Sequence, residues 1–405
     1  MILKEVALEI YLVGGAVRDQ LLGYPIKECD YVVVGASPEE MLNQGFRLIG
    51  KDFPVFLHPK THEEYALART ERKIGPGYKG FSCYAAPDVT LVEDLQRRDL
   101  TINAMAKTSS GQIIDPFQGQ KDIKQKLLRH VAPAFCEDPV RILRVARFMA
   151  RFSPLGFVVA KETMELMKTM VSVGEVKALV PERVWQEFSL ALTEPAPQAF
   201  IKTLYDCTAL AVLFPELQAL YKQYERIAYQ RTRSQHSYLS VLEKAVVLTD
   251  DPQVRFAAIF CDLGKGVAKE ETQTGIHTIQ ALCQRYRIPH AYSSLAVMTA
   301  AYHLLCHRAL ELDAQSLYLL LEKTDAFRQS SRLDQFLLVC EADFHAYSGL
   351  SNIIYLQKDR VLAAFAAVKS VSANKIKKLG ITGVLLGEKL IEHRIQAIAH
   401  FLQKI

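Results

Sequence analysis

Two carboxylates precede a predicted buried strand near the N-terminus. Glu28 and Asp30 are separated by one residue, and the apolar run 31–34 follows them directly. Residues two apart in a strand face the same side, and neighbouring carboxylates usually need a cation between them. Such oxygen ligands suit Mg²⁺ that also holds substrate phosphates, and two ions of this kind can support an in-line displacement. Taken alone, the pair is more typical of a solvated loop.

A glycine pair lies between a predicted strand and a predicted helix shortly before these carboxylates. Gly14 and Gly15 follow the β-rich segment 6–13, and Arg18 lies in the first turn of the predicted helix 16–22. Glycines let a ligand approach the backbone closely, and helix N–H groups and a guanidinium suit phosphate oxygens. A lone glycine pair is as typical of an ordinary tight turn. Together with the carboxylates, it favours a phosphate and metal site.

A second basic segment lies near residue 100. Arg97 and Arg98 precede Asp99 and an apolar run, a pattern that is typical of a helix start bearing basic groups. A guanidinium at this place could hold a triphosphate through two hydrogen bonds. A charged helix cap is the simpler interpretation of the segment taken alone.

A third segment carries arginines along one flank of a predicted helix. They lie within an arc of about 120° and are Arg141, Arg144, Arg147 and Arg151. Asp138 precedes the first of them by three residues, so the two side chains are helix neighbours. Cytosine and adenine present an exocyclic amine beside a ring nitrogen, an edge that such a carboxylate and guanidinium could select over uracil and guanine. An ordinary salt bridge is the simpler alternative.

Composition and pattern indicate how the elements that position these residues are arranged. The chain has 405 residues, of which 50% are hydrophobic and 23% are charged, which predicts two or three domains and excludes wholesale disorder. Strands and helices alternate over 6–120, and helices follow from Asp138 onward, so a domain boundary is predicted near residue 136. The opening of a helix at Ser37 is indicated by a capping box with Glu40.

The same features bear on compartment and partners. The net charge of +5 is compatible with a nucleic-acid partner without requiring one. Eight scattered cysteines without a CxxC pair favour a reduced, cytoplasmic location. We expect no signal peptide and no membrane association, because no charged and then apolar leader is present and the longest suitable apolar run is too short to span a bilayer.

Together these motifs resemble the bacterial-type (class II) tRNA nucleotidyltransferases, the CCA-adding enzymes. The resemblance is strong over about the first half of the chain. It rests on these segments: GGAVRD at 14–19, ECDYVVVG at 28–35, EEYALARTERK at 63–73, RRDLTINAMA at 97–106, IDPFQGQKD at 114–122, LLRHV at 127–131, EDPVRILRVARF at 137–148 and PERVW at 181–185.

The resemblance implies an α+β fold with a polymerase-β-like head, a mixed sheet with helices, followed by an all-helical neck, body and tail. The implied division is a nucleotidyltransferase head over 1–136, a helical neck and body with the base-reading helix over 137–223, an HD-like helical domain over 224–330 and a helical tail over 331–405. The implied reaction adds C, C and A to the tRNA 3′ end from CTP and ATP and releases pyrophosphate, without a nucleic-acid template. A monomer or a homodimer is compatible with it.

The resemblance also implies a role for each matched residue. Glu28 and Asp30 would hold Mg²⁺ and serve as the catalytic carboxylates. The segment 73–79 would help the switch from CTP to ATP. Nucleotide contacts would come from Gly15, Arg18 and Arg98, base reading from Asp138 and Arg141, and the rest of the pocket from Arg144 and Arg147.

Three features depart from the family pattern or extend it. Glu28 stands where the metal site usually has aspartate, and we expect the metal to be retained. In the HD-like part, which needs a His, a His-Asp pair and a distant Asp, His236 fits, but Cys261-Asp262 and His303-Leu304 each lack a ligand, so phosphohydrolase activity is doubtful. A basic cluster of Lys375, Lys377 and Lys378 could touch tRNA phosphates or be a solvated helix end.

Two alternatives of function remain open from the sequence. One is a related polymerase of restricted specificity, either a poly(A) polymerase or an enzyme that adds only CC or only A. The other is a non-catalytic tRNA-binding module, in which Glu28 would mark a failed metal site.

Overall fold

The computed structural model describes residues 8–26, 28–49, 54–73, 81–230, 239–264, 269–348, 353–373 and 382–404. Contacts divide the chain into two compact units, of which the first comprises 1–187 and 199–213 and the second 188–198 and 214–405. No helix in the described ranges is long and apolar enough to cross a membrane. No disulfide bond joins any of the eight cysteines, all of which lie within those ranges.

The strands belong to the first unit. They are β1 (Glu9–Val13), β2 (Asp30–Val34), β3 (Arg47–Leu48), β4 (Val55–Leu57), β5 (Glu64–Leu67), β6 (Thr70–Lys73), β7 (Phe81–Tyr84), β8 (Ala106–Lys107), β9 (Ile113–Ile114), β10 (Leu127–Leu128) and β11 (Val158–Val159).

Eighteen helices are present in the described residues. They are α1 (Gly15–Leu21), α2 (Pro38–Asn43), α3 (Leu91–Gln96), α4 (Gly119–Gln125), α5 (Val140–Phe152), α6 (Lys161–Ser172), α7 (Pro181–Thr193), α8 (Gln198–Asp206), α9 (Ala209–Leu213), α10 (Pro215–Gln230), α11 (Ser240–Leu248), α12 (Pro252–Phe260), α13 (Lys269–Arg285), α14 (His290–His307), α15 (Ala314–Lys323), α16 (Ser330–Ser348), α17 (Leu356–Lys369) and α18 (Gly383–Leu402).

A mixed seven-stranded sheet forms the frame of the first unit. Its strand order is β3-β4-β5-β2-β1-β8-β9, with β2 and β5 parallel and the other neighbours antiparallel. Val32 and Val33 on the central strand β2 point to opposite faces, each into its own apolar cluster. The sheet with its helices and the helical remainder confirm the α+β expectation. Beyond residue 138, where helices alone were expected, the two-residue strand β11 is an exception and pairs with β10.

The capping box predicted at Ser37 is also present. The Ser37 side chain accepts a hydrogen bond from the Glu40 backbone N–H at 3.2 Å, and Glu40 Oε2 accepts one from the Ser37 N–H at 2.7 Å. These reciprocal bonds satisfy two of the N–H groups that a helix leaves unpaired at its start, so α2 begins at Pro38.

The loop before α4 fixes the segment that carries the RRDLTIN motif. The Asp115 carboxylate accepts the N–H groups of Gly119 and Gln120 at 2.7 and 2.9 Å. A Cβ on Gly119 would lie 2.3 Å from the Thr101 carbonyl oxygen, so only glycine fits there. Asp122, which is buried, accepts the Thr101 hydroxyl at 2.7 Å. These contacts hold residues 99–103 against α4.

The second unit is built from helices in the described residues. α11, α12, α14 and α16 pack against one another, and α15, α17 and α18 form a further group. The side chains buried most fully between the first set include Phe256, Phe260 and Phe336. Burial of this apolar surface is the main favourable term for such a bundle.

Candidate functional site

The turn between β1 and α1 brings an arginine against the glycine pair. Gly14 adopts a φ of +69°, and a Cβ at this position would lie 2.7 Å from Arg98 Nη1. The positive φ at this position favours glycine. The Gly14 N–H donates to the Met105 carbonyl at 3.1 Å, which ties the turn to the end of the RRDLTINAMA segment. Gly15 is the first residue of α1.

Asp30 is the first residue of β2 and lies close enough to this arginine for their charges to interact, and Glu28 precedes it by two residues. Asp30 pairs with Val13 on β1, and both carboxylates are exposed. The pKa of the Asp30 carboxyl is raised above its ordinary value. Partial removal from water is the largest cause, the charge of Glu28 adds to it, and the charge of Arg98 opposes it. Two solvent-facing carboxylates that repel each other are suited to a hard divalent cation, so the donor set fits the predicted metal.

Arg98 is held in place by a buried carboxylate. Asp94 on α3 is fully buried and accepts Arg98 Nη2 at 3.1 Å and Arg97 Nη2 at 2.7 Å. Burial lowers the pKa of Arg98, and the charge of Asp94 opposes that shift. The guanidinium therefore stays charged between Gly14 and Asp30, where it could attract phosphate oxygens.

Arg18 lies in the interior of the first unit rather than on its surface. Its guanidinium donates to Asp19 Oδ1 at 2.8 Å and to Asn103 Oδ1 at 2.5 Å. It also lies 5.3 and 5.2 Å from the ring centres of Phe148 and Phe152 on α5. Burial lowers its pKa, and Asp19 opposes this. Arg18 thus joins α1 to α5 as well as lying close to the glycine turn.

Asp99 connects the RRDLTIN segment to α5. This buried carboxylate accepts Arg144 Nε at 2.7 Å, Asn103 Nδ2 at 2.9 Å and the Leu100 N–H at 2.8 Å. Burial by itself would raise the pKa of Asp99, but the charge of Arg144 and the hydrogen bonds hold it well below its usual range. The folded protein therefore stabilises the ionised form of Asp99.

The remaining arginines of α5 also face carboxylates. Glu187 on α7 accepts Arg147 Nε at 2.6 Å and lies 3.9 Å from Arg144 Nη1. Arg151 Nη2 donates to Asp19 Oδ2 at 2.9 Å. Three of the four arginines in the predicted arc, Arg144, Arg147 and Arg151, thus form a ladder in which each guanidinium has an acidic partner, while the apolar side of α5 is buried.

Asp138 binds an arginine that the sequence analysis did not consider. Its two carboxylate oxygens accept Nη1 and Nη2 of Arg183 on α7 at 3.1 and 3.0 Å. Oδ1 also accepts the N–H of Val140, the first residue of α5, at 3.0 Å. Arg141 donates instead to the carbonyls of Ala134 and Arg97 at 3.1 and 2.5 Å. The two proposed base-reading side chains are therefore each fixed by a separate set of bonds.

All nine predicted site residues lie in the first unit and fall into three groups. The groups are Glu28, Asp30 and Arg98 with Gly15 at the turn; Arg18, Arg144 and Arg147 with their carboxylates; and Asp138 with Arg141. The sequence analysis missed the partners that fix these side chains, namely Asp19, Asp94, Asp99, Asn103, Arg183 and Glu187. Most of these partners lie inside or beside the motifs that carry the site residues, and this proximity in sequence could have identified them.

Some of the features predicted from the sequence lie outside the described residues. The segment 74–79, His236 and the lysines 375, 377 and 378 lie outside the described residues. Of the others, Cys261 is buried at the end of α12, and His303 is buried on α14 with Nδ1 2.8 Å from the Thr299 carbonyl oxygen. Leu304 is exposed.

Comparison with known proteins gives matches along the whole chain. Residues 10–129 match the family described as "Poly A polymerase head domain". Residues 156–220 match the one described as "Probable RNA and SrmB-binding site of polymerase A". A protein named "Multifunctional CCA protein" from Thioalkalivibrio sulfidiphilus is 53% identical over 96% of this chain and 98% of its own length. One of the same name from Vibrio vulnificus is 49% identical over 96% and 98%.

Solved structures with the same fold are more distant in sequence. A Thermotoga maritima CCA-adding enzyme complexed with tRNA is 21% identical, with a TM-score of 0.62 over 98% of this chain and 88% of that one. A Bacillus stearothermophilus CCA-adding enzyme in complex with CTP is also 21% identical, with a TM-score of 0.61 over 98% and 90%. At 21% identity these similarities show a shared fold and nothing more.

The Asp99 network predicts a pH-dependent loss of stability. Asp99→Asn should lower the free energy of unfolding at pH 7 by about 3 kcal/mol, because it leaves Arg144 without its buried carboxylate. The pKa of Asp99 is lower in the fold than the unfolded value of about 4, so its stabilisation is present above pH 4 and is lost as the pH falls below it. The deficit of the variant should therefore be about 1 kcal/mol smaller at pH 3.

Urea unfolding followed through the single tryptophan, Trp185, would measure both values. Asp88→Asn is the matched control, because Asp88 is an exposed carboxylate of the same unit. It should change stability by less than about 0.5 kcal/mol. An equal deficit of Asp99→Asn at the two pH values would contradict the assignment of Asp99 as an ionised partner.

Proposed function

We propose which side chains carry out each part of the reaction of this chain, which belongs to the family of multifunctional CCA proteins. It is a tRNA nucleotidyltransferase of the CCA-adding type. It adds C, C and A to the 3′ end of tRNA, with CTP and ATP as the nucleotide substrates. The observation that carries the proposal is the convergence of the glycine turn, the paired carboxylates and the arginine helix α5 within one unit.

We assign the reacting end of the nucleotide to the glycine turn and β2. Enzymes of this family use divalent metal ions, and we propose that Glu28 and Asp30 hold Mg²⁺. When bound, the ion would lower the pKa of the tRNA 3′-hydroxyl and stabilise the pyrophosphate that leaves. Arg98, held by Asp94 beside Gly14, attracts the phosphates to this place, and the absence of a side chain at Gly14 and Gly15 leaves room for them.

We assign the choice of base to Asp138 and Arg141. The Asp138 carboxylate accepts a hydrogen bond from the exocyclic amine of C or A, and Arg141 donates to the adjacent ring nitrogen. U and G present the opposite pattern of donor and acceptor at that edge, so they are rejected. Arg183 acts as a positioning residue, because its two bonds to Asp138 fix the plane of the carboxylate.

Three arginines support the pocket between these two places. Arg18, Arg144 and Arg147 are each bound to a carboxylate, so their positions are fixed before the nucleotide arrives. Because these guanidinium groups are already in place, little free energy is spent on reorganising them when the triphosphate binds. We therefore propose that these arginines contact the nucleotide with those N–H groups that the carboxylates do not use.

We place the enzyme in the cytoplasm, where its tRNA substrate is, and the eight cysteines without a disulfide bond support a reducing compartment. The division into head, neck and body, HD-like domain and tail stays a prediction, as does the choice between monomer and homodimer. So does the expectation that phosphohydrolase activity is weak or lost.

Nucleotide addition to a defined tRNA tests the proposed function. The purified protein, given a tRNA that lacks CCA together with Mg²⁺, CTP and ATP, should produce tRNA ends that read CCA. Asp30→Asn should reduce the rate at least about a hundredfold, because one of the two metal-binding charges is lost. The products should be sequenced at the 3′ end. Glu39→Gln, which neutralises an exposed carboxylate on α2, should leave the rate unchanged.

Each other product points to a different function. A long A tail would favour a poly(A) polymerase, and a CC or a single A addition would favour a specialised relative. If the protein binds tRNA but adds no nucleotide, the non-catalytic binding module is the better description. Full activity of Asp30→Asn would show that the metal is held elsewhere.

Nucleotide choice tests the role of Arg183. Arg183→Lys keeps a positive charge but cannot bind both oxygens of Asp138, so the carboxylate can rotate out of its reading position. The ratio of kcat/KM for CTP to that for UTP should fall roughly tenfold. The Kd for tRNA, measured by filter binding, should stay the same. A weaker tRNA complex with an unchanged CTP to UTP ratio would contradict the positioning role.

A further inference from the structure

Two motifs from the sequence analysis have no part in the proposed reaction, and the structure brings them together at a cleft in the first unit. They are IDPFQGQKD at 114–122 and LLRHV at 127–131. The cleft has a volume of about 350 Å³ and is lined by residues of α4, of the loop before it and of both motifs, together with Thr101. This volume is at the lower end of the range for small-molecule sites.

The RRDLTIN segment separates this cleft from the proposed nucleotide pocket. The Thr101 N–H donates to the Arg129 carbonyl at 2.9 Å, which joins the segment to the LLRHV motif. The Asp99 side chain bonds Arg144 on α5, whereas the Thr101 hydroxyl bonds Asp122 on α4. The two side chains thus reach different helices, and the cleft is distinct from the pocket that α5 borders.

In the described part of the chain, Asp122 is the one carboxylate that lines the cleft, and it is already neutralised. Asp122 is 2% exposed and accepts the Thr101 hydroxyl at 2.7 Å and Arg129 Nε at 3.1 Å with the same oxygen. The lining holds two cations, Lys121 and Arg129, against this single acid. The cleft therefore has an excess of positive charge and favours an anionic ligand.

Both cations keep donors for such a ligand. Lys121 is exposed, and its Nζ donates to Gln118 Oε1 at 3.1 Å, an uncharged acceptor that an anion can replace. Arg129 uses Nε for Asp122 and Nη1 for Glu162, and within the described residues its Nη2 has no partner. The Arg129 side chain is 33% exposed. Its Nη2 group and the Lys121 Nζ group can therefore each bind a phosphate oxygen.

His130 supplies a third donor. Its backbone N–H donates to Thr163 Oγ1 at 3.0 Å, and its ring Nδ1 lies 2.8 Å from the same oxygen. Thr163 is fully buried, and its hydroxyl has no other acceptor in the described residues, so it donates to Nδ1 and leaves the ring proton on Nε2. Burial lowers the pKa of His130 and the charge of Arg129 lowers it further, so the ring is uncharged at pH 7 and Nε2–H is a neutral donor.

An apolar surface completes the cleft. Phe117 and Val131 line it and pack against the cluster on the sheet that contains Val13 and Val32. Both lining side chains are half-buried, so part of each remains open to a ligand. A planar ring stacked on Phe117 would remove this apolar surface from water. The cleft thus combines a surface for a ring with donors for an anion.

A phosphate monoester is the anion that best fits these donors. It carries about 1.5 to 2 negative charges at pH 7 and has three terminal oxygens that accept hydrogen bonds. The three donors are Lys121 Nζ, Arg129 Nη2 and His130 Nε2. A nucleoside 5′-monophosphate joins such a group to a planar base, which matches the apolar surface beside the donors.

We propose that this cleft is a second nucleotide site, which binds a nucleoside 5′-monophosphate. Lys121, Arg129 and His130 bind the phosphate, and the base lies against Phe117 and Val131. Such a group has two sources, a free nucleotide and the 5′ end of tRNA, whose terminal phosphate is also a monoester. The second source rests on the proposed function, whereas the first does not.

Chemical labelling of Lys121 tests the site directly. The full-length protein is treated briefly with an acetylating reagent, and the modification of each lysine is measured by mass spectrometry. GMP is the probe, because the proposed base-reading residues select C and A over G. At a GMP concentration ten times the Kd, acetylation of Lys121 should fall roughly tenfold, since only the free protein reacts there. Lys124, which is exposed on the same helix, should react at an unchanged rate. Guanosine, which lacks the phosphate, should protect neither lysine.

Two variants measure the contribution of the lysine charge. GMP binding is followed through the ¹⁵N NMR signal of the His130 ring, which His130→Gln identifies by its absence. Lys121→Gln should weaken GMP binding at least about tenfold, because a charge-assisted hydrogen bond to the phosphate is lost. Lys124→Gln is the matched control, since Lys124 is exposed on α4 but does not line the cleft. It should change the Kd by less than about twofold.

A pair of tRNA molecules separates the two sources of the ligand. One carries its 5′ phosphate, and the other is the same tRNA after treatment with a phosphatase. If the first protects Lys121 better than the second and GMP competes with it, the ligand is the 5′ end of tRNA. If GMP protects Lys121 and the 5′ phosphate makes no difference to the effect of tRNA, the ligand is a free nucleotide.

Four results would overturn the proposal. They are no protection of Lys121 by GMP or by either tRNA, equal protection by both tRNAs without protection by GMP, protection of Lys124 as strong as that of Lys121, and an unchanged GMP affinity of Lys121→Gln. The second result would show that the cleft binds the RNA backbone instead. Labelling does not depend on nucleotide addition, so a failure of this proposal and a failure of the proposed function are distinguishable.

Discussion

The pairing of buried carboxylates with arginines from distant parts of the chain is the constraint on which the first unit depends. Asp99 binds Arg144, Asp19 binds Arg151, and Glu187 binds Arg147. A buried charge without a partner costs several kcal/mol, so each of these carboxylates needs its arginine in the folded chain. They fix the glycine turn, the RRDLTIN segment and α5 relative to one another, and the proposed nucleotide pocket is the space that these three elements border.

This constraint explains how side chains alone could select a nucleotide. Discrimination between bases by hydrogen bonds requires that donors and acceptors keep their positions when the wrong base arrives. Asp138 is held by Arg183 and by the start of α5, while Arg141 is held by two main-chain carbonyls. Asp138 and Arg141 therefore keep their positions, because each is bonded to other parts of the first unit rather than to the other.

The sequence predicted local features well and long-range partners poorly. The mixed head with a helical remainder and the capping box at Ser37 follow from hydrophobic pattern and cap chemistry, which act over a few residues. The spacing of Asp138 and Arg141 wrongly places both residues on one helix, because α5 begins at Val140 and Asp138 lies in extended backbone before it. It cannot reveal that Arg183, 45 residues away, binds Asp138, because no local rule links the two.

Binding of free nucleotides to the protein without tRNA tests the central claim most directly. Isothermal titration calorimetry would give the Kd of CTP, ATP, UTP and GTP in the presence of Mg²⁺. If Asp138 and Arg141 read the base, CTP and ATP should bind with similar Kd values, and UTP and GTP roughly tenfold or more weakly. Equal affinity for all four nucleotides would contradict the account and would show that the tRNA end, not the protein edge, makes the choice.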